Sequence, residues 1–335
     1  MMKALVLHAP KKLHLEEVED PSIANNEVLI KVRRVGICGT DKAFYKGSYK
    51  PGKLPLIPGH ELVGKIVDVG RNVDPSLIGA EVTSEINFYC GKCSFCSEGL
   101  KTHCPYRETL GITRDGGMAE FVVSRFDLIH SVEGLSNVQS AFVEPLASIV
   151  EMLELAPVKA FHNVAVIGVG TIGLLALRTI SAVARPIKLV AVVRKDSPKQ
   201  VFVKNSNVDE IVSEDEVIEY VRKHTREGQG FDYVVEATGT PEGLKLAVEI
   251  VKPRGLISVK STHGMTIDFD VTKFVVKEAK LVGSRCGPFE RAIEILRKGL
   301  VKVDDLVTSE YPLDKGVEAF EKSFQRDQVK VHILV

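Results

Sequence analysis

Four cysteines fall within fifteen residues, in the order Cys90-x2-Cys93-x2-Cys96-x7-Cys104, with Gly91 and Gly99 in the same loop. Cys-x2-Cys spacing lets neighbouring thiolates converge on one ion, and four of them complete the tetrahedral shell of a structural Zn²⁺. Such a shell has no open position, so this metal should fold a lobe and do no chemistry. His103 adjoins Cys104 and is either a spare ligand or, the reading we favour, a plain loop histidine. Of six cysteines in the chain, Cys286 reads as a small packing residue, which leaves Cys38.

Cys38 stands in Gly36-Ile37-Cys38-Gly39-Thr40-Asp41, and Pro58-Gly59-His60-Glu61 follows it. A soft thiolate, an imidazole and a carboxylate suit a catalytic Zn²⁺, with three protein ligands and one position left for substrate. Glu144 lies inside the apolar run Phe142-Val143-Glu144-Pro145-Leu146. It is either an ordinary charge at the start of a helix or a further partner of the metal or its water. Two Zn²⁺ per chain are therefore expected.

A third cluster concerns phosphate. The apolar run Val164–Ile167 leads into Gly168-Val169-Gly170-Thr171-Ile172-Gly173 and then a helical stretch. Between strand and helix, these glycines allow a tight turn, approach of a pyrophosphate and close helix–strand packing. The helix N-terminus then favours the negative charge. NAD enzymes usually place Asp or Glu about twenty residues further on, for the ribose 2′-hydroxyl. Here Val193 takes that place and Arg194 and Lys195 follow, which favours NADP(H) over NAD(H) through charge-assisted pairs with a 2′-phosphate. The alternatives are a solvated basic turn, or Asp196 as a displaced ribose acceptor. Arg285 follows a later strand on the cofactor side.

The elements that must hold these groups differ along the chain. Residues 1–147 show short β-type runs (Ala4–Leu7, Glu27–Val35, Leu62–Val69, Glu81–Ser84, Glu120–Val123) broken by Gly and Pro, which predicts a loop-rich β domain. Residues 148–286 alternate strands (Val164–Ile167, Ile187–Val193, Glu210–Val212, Phe231–Glu236, Leu256–Val259, Lys280–Gly283) with helices (Thr171–Ala184, Glu216–His224, Glu242–Val251), which predicts an α/β, doubly wound parallel sheet. The tail, 287–335, adds helices at Glu290–Lys298 and Val317–Phe324 and a strand near Val329–Val335. An α/β unit inserted into a β-rich domain explains this order, and the cleft between two such domains is the default place for a ligand.

Composition limits the partners. The 335 residues carry 44 basic and 44 acidic side chains, for a formal net charge of zero. No basic excess draws the chain to nucleic acid or to a membrane surface. The longest apolar stretch, Val164–Leu177, ends at Arg178 and is punctuated by glycine, so no membrane span is expected. The apolar run within residues 1–12 is too short for a signal peptide, which leads us to expect a cytoplasmic protein.

The pattern Gly59-His60-Glu61-x2-Gly64-x5-Gly70-x2-Val73 resembles the signature of the zinc-containing medium-chain alcohol dehydrogenases. The Cys38 stretch, the four-cysteine lobe (88–106), the Gly-rich turn and Gly283-Ser284-Arg285-Cys286-Gly287 all follow that family's order. The resemblance implies a GroES-like catalytic domain, 1–147 with 287–335, interrupted by a Rossmann domain, 148–286. It implies that Cys38 and His60 ligate the catalytic zinc, and that Glu61 and Glu144 match carboxylates binding it directly or through water, as in the polyol and threonine dehydrogenase branches. Thr40 matches the hydroxyl that relatives use to carry the alcohol proton away, and Lys330 a basic residue near the pyrophosphate. Many relatives continue that relay through a histidine where this chain has Ala43; Tyr45, Lys42 or solvent are the substitutes. The implied activity is hydride transfer between an alcohol or polyol, or the matching carbonyl, and a nicotinamide cofactor, in a homodimer or homotetramer. Intact Cys38, His60 and Thr40 favour turnover over a silent nucleotide-binding protein on the same fold, and two metal sites disfavour a zinc-free quinone reductase. Substrate shape should be set by the loops Tyr45–Pro55, Asn87–Tyr89 and Arg107–Asp115.

Overall fold

The computed structural model describes residues 1–262 and 264–335, and the chain divides into two compact units. The first comprises Met1–Glu144, Ala292–Arg297 and Val307–Val335; the second comprises Pro145–Arg291 and Lys298–Leu306.

The first unit is built on a seven-stranded sheet. Along it lie Val307–Pro312, Lys330–Leu334, Glu27–Gly36, Glu61–Val69, Glu81–Ser84 and Ile129–Ser131, with Phe121–Arg125 also paired to Glu27–Gly36. Glu27–Gly36 is the axis of this sheet. Val28, Ile30 and Val32 alternate inward as a half-buried strand demands. One edge pairs along its length with Glu61–Val69, while the other is shared: Phe121–Arg125 takes residues 27–31 and Lys330–Leu334 takes 34–36. The register therefore sets Gly36 opposite Glu61 on one side and His332 on the other. A hairpin of Met2–Ala9 and Lys12–Val18 stands beside this sheet as a separate two-stranded ribbon. Its second strand is unforeseen from sequence, because the apolar alternation of Leu13 and Leu15 is short and is broken by Glu16 and Glu17.

The second unit has a six-stranded, wholly parallel sheet in the order Glu210–Ser213, Lys188–Val193, Asn163–Ile167, Phe231–Glu236, Val251–Val259, Lys280–Gly283. Numbered along the chain this is 3-2-1-4-5-6, the doubly wound order of dinucleotide-binding sheets. Its strands read as continuous apolar runs because both faces are covered: Ala165, Ile167, Val190, Val192, Val234 and Ile257 are buried on one face with Val217, Leu244 and Val248 from the helices, and the alternate residues Val164, Val166, Leu189, Ala191 and Val235 are buried as well. The stretch Thr171–Ala184 is helical as expected, but only Thr171–Thr179 is α-helix and Ile180–Ala184 widens to a π turn.

The second unit keeps more of the tail than the texture change at 286 suggests. Arg178, buried in the helix Thr171–Thr179, donates to both carboxylate oxygens of Asp305 (2.6 and 2.7 Å) and to the Lys302 carbonyl (2.6 Å). That clamp fastens Lys298–Leu306 to this sheet's helices. Gly287 is packed so closely on the Ala147 carbonyl that a Cβ would overlap it. Among the described residues no helix is long and apolar enough to cross a membrane.

Candidate active site

The strand Glu27–Gly36 runs out at Ile37, and Cys38 caps the short helix Gly39–Lys46. The cap is reciprocal in kind: the Cys38 N–H donates to Asp41 Oδ2 at 2.8 Å, so the helix start and the thiol are fixed together. Asp41, although charged, is buried. Its other oxygen, Oδ1, accepts from the Gly59 N–H at 3.4 Å and stands 3.8 Å from His60 Nδ1. One carboxylate thus ties the thiol-bearing turn to the imidazole-bearing turn. Sequence reading passed over Asp41, whose signal was its place three residues beyond Cys38, where a helix cap wants a carboxylate.

His60 is buried and its Nδ1 finds no hydrogen-bond partner. The Cys38 thiol lies at hydrogen-bonding range of the ring, and the Glu144 carboxylate, at the first turn of the helix Val143–Leu155, acts on it too. Burial pulls the imidazole down, but Cys38, Asp41 and Glu144 together hold its pKa well above the ordinary value. A buried base crowded by acidic groups, with one nitrogen unsatisfied, is the environment of a cation site. The donor set fits Zn²⁺: Cys38, His60 and Glu144 are the three types of group that leave one position open.

Glu61 is the next residue, and the register has already placed it against Gly36. A Cβ on Gly36 would overlap Glu61 Oε2, so only glycine leaves room for the carboxylate. Both Glu61 oxygens accept from Lys330 Nζ, at 2.8 and 2.6 Å, and the same ammonium donates to the Ile37 carbonyl at 3.2 Å. Burial pulls Lys330 down, but Glu61, Cys38 and Glu144 hold it above its usual range. Lys330, expected beside a pyrophosphate, therefore has its ammonium inside this cluster. His332, two residues on, accepts from Arg34 Nη1 at Nδ1 (3.0 Å), and its Nε2 is buried without a partner.

The relay candidates separate. Thr40 sits half-buried in the first turn of the helix Gly39–Lys46. Lys42 Nζ donates to the Ser323 carbonyl at 2.7 Å and lies over the Phe324 ring, while Tyr45 packs on Phe320 and Phe324. Both side chains are thus committed to the packing against the helix Gly316–Ser323 and Phe324.

The cysteine lobe is tighter. The sulfurs of Cys93 and Cys96 are 3.5 Å apart, Cys93 and Cys104 3.8 Å, and Cys90 and Cys96 4.0 Å. A tetrahedron with Zn–S bonds of about 2.3 Å has edges of about 3.8 Å, so the four thiols already describe the shell of that ion. Among the described residues, these four alone bring three or more ligand atoms within 4.8 Å of one another; Cys38, His60, Glu61 and Glu144 do not form so tight a set. The Lys92 amide leads in holding the Cys90 thiol down at about 6. His103 turns to Thr102 Oγ1 at 3.1 Å, outside the shell.

In the second unit the Gly-rich turn has three distinct glycines. Gly168 has φ +93°, which L side chains rarely adopt, and a Cβ there would press on the Ala237 backbone at 2.7 Å. A Cβ on Gly173 would overlap the Gly168 carbonyl, whereas one on Gly170 meets nothing within 4 Å. Turn, helix packing and open approach are the three demands of a dinucleotide turn. Gly170 caps the helix Thr171–Thr179, and Thr171 and Ile172 form its first turn, which holds no acidic residue to repel phosphate. Arg194 and Lys195 are exposed just past the strand Lys188–Val193, and Arg285 is exposed past Lys280–Gly283.

The chain is similar to known proteins along its whole length. Residues 24–134 match the family model of the alcohol dehydrogenase GroES-like domain, and 168–299 that of the zinc-binding dehydrogenases. The chain is 32% identical to a D-arabitol-phosphate dehydrogenase of Enterococcus avium, over 99% of this chain and 97% of that one. It is 30% identical to a sorbitol dehydrogenase of Halalkalibacterium halodurans, over 98% of each. A Sinorhizobium meliloti protein solved with NADP bound has TM-score 0.91 at 27% identity, covering 100% of this chain and 99% of that one. An Escherichia coli alcohol dehydrogenase complexed with NADH gives TM-score 0.91 at 25% identity, with the same coverage. With a GroES-like unit, a Rossmann unit and these relatives, the chain belongs to the zinc-containing medium-chain alcohol dehydrogenases, on their polyol and threonine dehydrogenase side.

Proposed function

We propose that this chain is a zinc-dependent dehydrogenase that moves a hydride between a polyol, or a related alcohol or carbonyl, and a nicotinamide dinucleotide, with NADP(H) favoured. The observation that carries the reading is the half-buried Cys38 thiol at the buried His60, with an unsatisfied imidazole nitrogen and the Glu144 charge acting on the ring, in a chain that has a separate four-thiol lobe. When bound, Zn²⁺ supplies the Lewis acidity that eases deprotonation of a hydroxyl, and the dinucleotide supplies the ring that accepts hydride.

The chain's own residues do the rest. Cys38, His60 and Glu144 would hold the catalytic ion, and Glu61 would reach it directly or through water while sharing its charge with Lys330. Asp41 fixes the turn of His60, as a carboxylate behind a ligating histidine commonly does. Thr40 is the relay for the substrate proton: its hydroxyl would accept that proton as it gives its own to solvent, since Lys42 and Tyr45 are packed on Phe324. The four cysteines of the lobe would hold the second ion. Gly168, Gly170, Thr171, Ile172 and Gly173 would cradle the pyrophosphate, and Arg194 and Lys195 the 2′-phosphate, with Arg285 nearby. Polyols and polyol phosphates are favoured as substrates by the names of the relatives. Assembly as a homodimer or homotetramer in the cytoplasm belongs to the same proposal.

The test is a panel of polyols, polyol phosphates and simple alcohols offered with NAD⁺ and with NADP⁺, following absorbance of the reduced nicotinamide. Turnover of a polyol-type substrate, faster with NADP⁺, is expected. Nucleotide binding with no turnover of any substrate in either direction would indicate a silent nucleotide-binding protein instead.

A further inference from the structure

The strands Lys188–Val193 and Glu210–Ser213 are parallel neighbours, and their last register pair is Val193 with Ser213. The next residues, Arg194 and Glu214, are therefore brought side by side where both strands end. The Glu214 N–H donates to the Val193 carbonyl at 2.8 Å, which extends the pairing by one step. Arg194 Nε then lies 3.9 Å from Glu214 Oε2. Arg194 is itself held in a fixed turn. The Ser197 N–H donates to its carbonyl at 3.0 Å, and Gln200 Nε2 spans the Arg194 and Lys195 carbonyls at 3.3 and 2.8 Å. The guanidinium offered to a 2′-phosphate is thus already facing a carboxylate.

We propose that Glu214 sets the preference between the two dinucleotides, by competing with the ribose 2′-phosphate for the Arg194 guanidinium. This rests on the reading of the Gly168 turn as a dinucleotide site and of Arg194 as its 2′-phosphate partner. A phosphate near −2 must displace the carboxylate or accept its repulsion, whereas a ribose with a free 2′-hydroxyl pays neither. Glu214 is only partly exposed, 30% against 62% for Arg194, so the carboxylate is the less mobile partner and the guanidinium the one that must be shared. Three further acids, Asp196, Asp215 and Glu216, lie on the same two turns, against two further cations, Lys195 and Lys199, so acids outnumber cations there by four to three. The cationic pair that the sequence offers as a phosphate claw is therefore set in an acidic frame, with Glu214 as the member that touches it.

The experiment is a fluorescence titration of the full-length protein with NADPH and with NADH, for the wild type, Glu214→Gln, Arg194→Ala and the double variant. Thermal melting confirms that each is folded, and Glu214→Ser serves if the glutamine variant is not. Removing one partly screened charge should tighten NADPH about fivefold while NADH stays within about twofold. The gain should vanish in the double variant, which should match Arg194→Ala in its NADPH-to-NADH ratio. If Arg194→Ala weakens NADPH selectively but Glu214→Gln leaves the ratio unchanged, Glu214 has no part in the choice and the 2′-phosphate reading stands without it. If Arg194→Ala also leaves the ratio unchanged, both fall.

Discussion

Gly36 lacks a side chain because Glu61 occupies the space one would fill, and Glu61 is there because Lys330 holds both its oxygens. Two buried opposite charges are costly to bring in and more costly to separate. Lys330→Met should therefore destabilise the protein by about 3–5 kcal/mol in urea unfolding, since it strands Glu61. Adding Glu61→Gln should recover much of that loss. An unchanged midpoint in Lys330→Met would show that water reaches the pair. His332 gives a pH signature from the same place. Burial, with Lys330 and Arg34 close by, holds its pKa well below the ordinary 6.5. Between the folded value and about 6.5 the unfolded chain binds the extra proton, so this contribution is complete above about pH 6.5 and is lost as pH falls. His332→Asn should reduce the acid sensitivity of stability between pH 7 and 5, by at most about 1.4 kcal/mol per pH unit. Equal slopes in the two proteins would mean that His332 protonates freely in place.

At the scale of elements, the Gly168–Gly173 turn separates binding from folding. A Cβ at Gly170 meets no protein atom within 4 Å, so Gly170→Ala should melt like the wild type yet bind NADPH at least about tenfold more weakly, because only the ligand needs that space. Gly173→Ala forces a Cβ into the Gly168 carbonyl and should lose stability and binding together. Fluorescence titration beside thermal melting distinguishes them, and identical behaviour of the two variants would remove the distinction. These elements were legible because their signals are local. Strand periodicity located Asn163–Ile167, Lys188–Val193 and Phe231–Glu236 within a residue or two, and the glycine spacing located the turn. The hairpin strand Lys12–Val18 was not, since its apolar alternation, Leu13 and Leu15, is two residues long and is broken by Glu16 and Glu17. Nor was Val307–Pro312, an edge strand with no residue fully buried.

For the whole molecule, what sequence could not show was who pairs with whom. Lys330 and Glu61 are 269 residues apart, and Arg178 and Asp305 are 127 apart. A single sequence gives each of these charges a type but no partner, so Lys330 read as a cofactor contact and the segment Lys298–Leu306 as part of the β-rich unit. The four-cysteine lobe escaped this difficulty because its ligands are neighbours in sequence. The residues proposed to hold the catalytic metal, Cys38, His60, Glu61 and Glu144, all belong to the first unit and the Gly168–Gly173 turn to the second, so a substitution can remove one set and leave the residues of the other in place.

That independence defines the most direct measurement: zinc content by elemental analysis, with turnover measured on the same samples, for the wild type and Cys38→Ser. The expected result is two zinc ions per wild-type chain, one per Cys38→Ser chain, and turnover only in the former. Full turnover by Cys38→Ser, or by wild-type protein holding zinc in the cysteine lobe alone, would contradict a catalytic metal at Cys38 and His60.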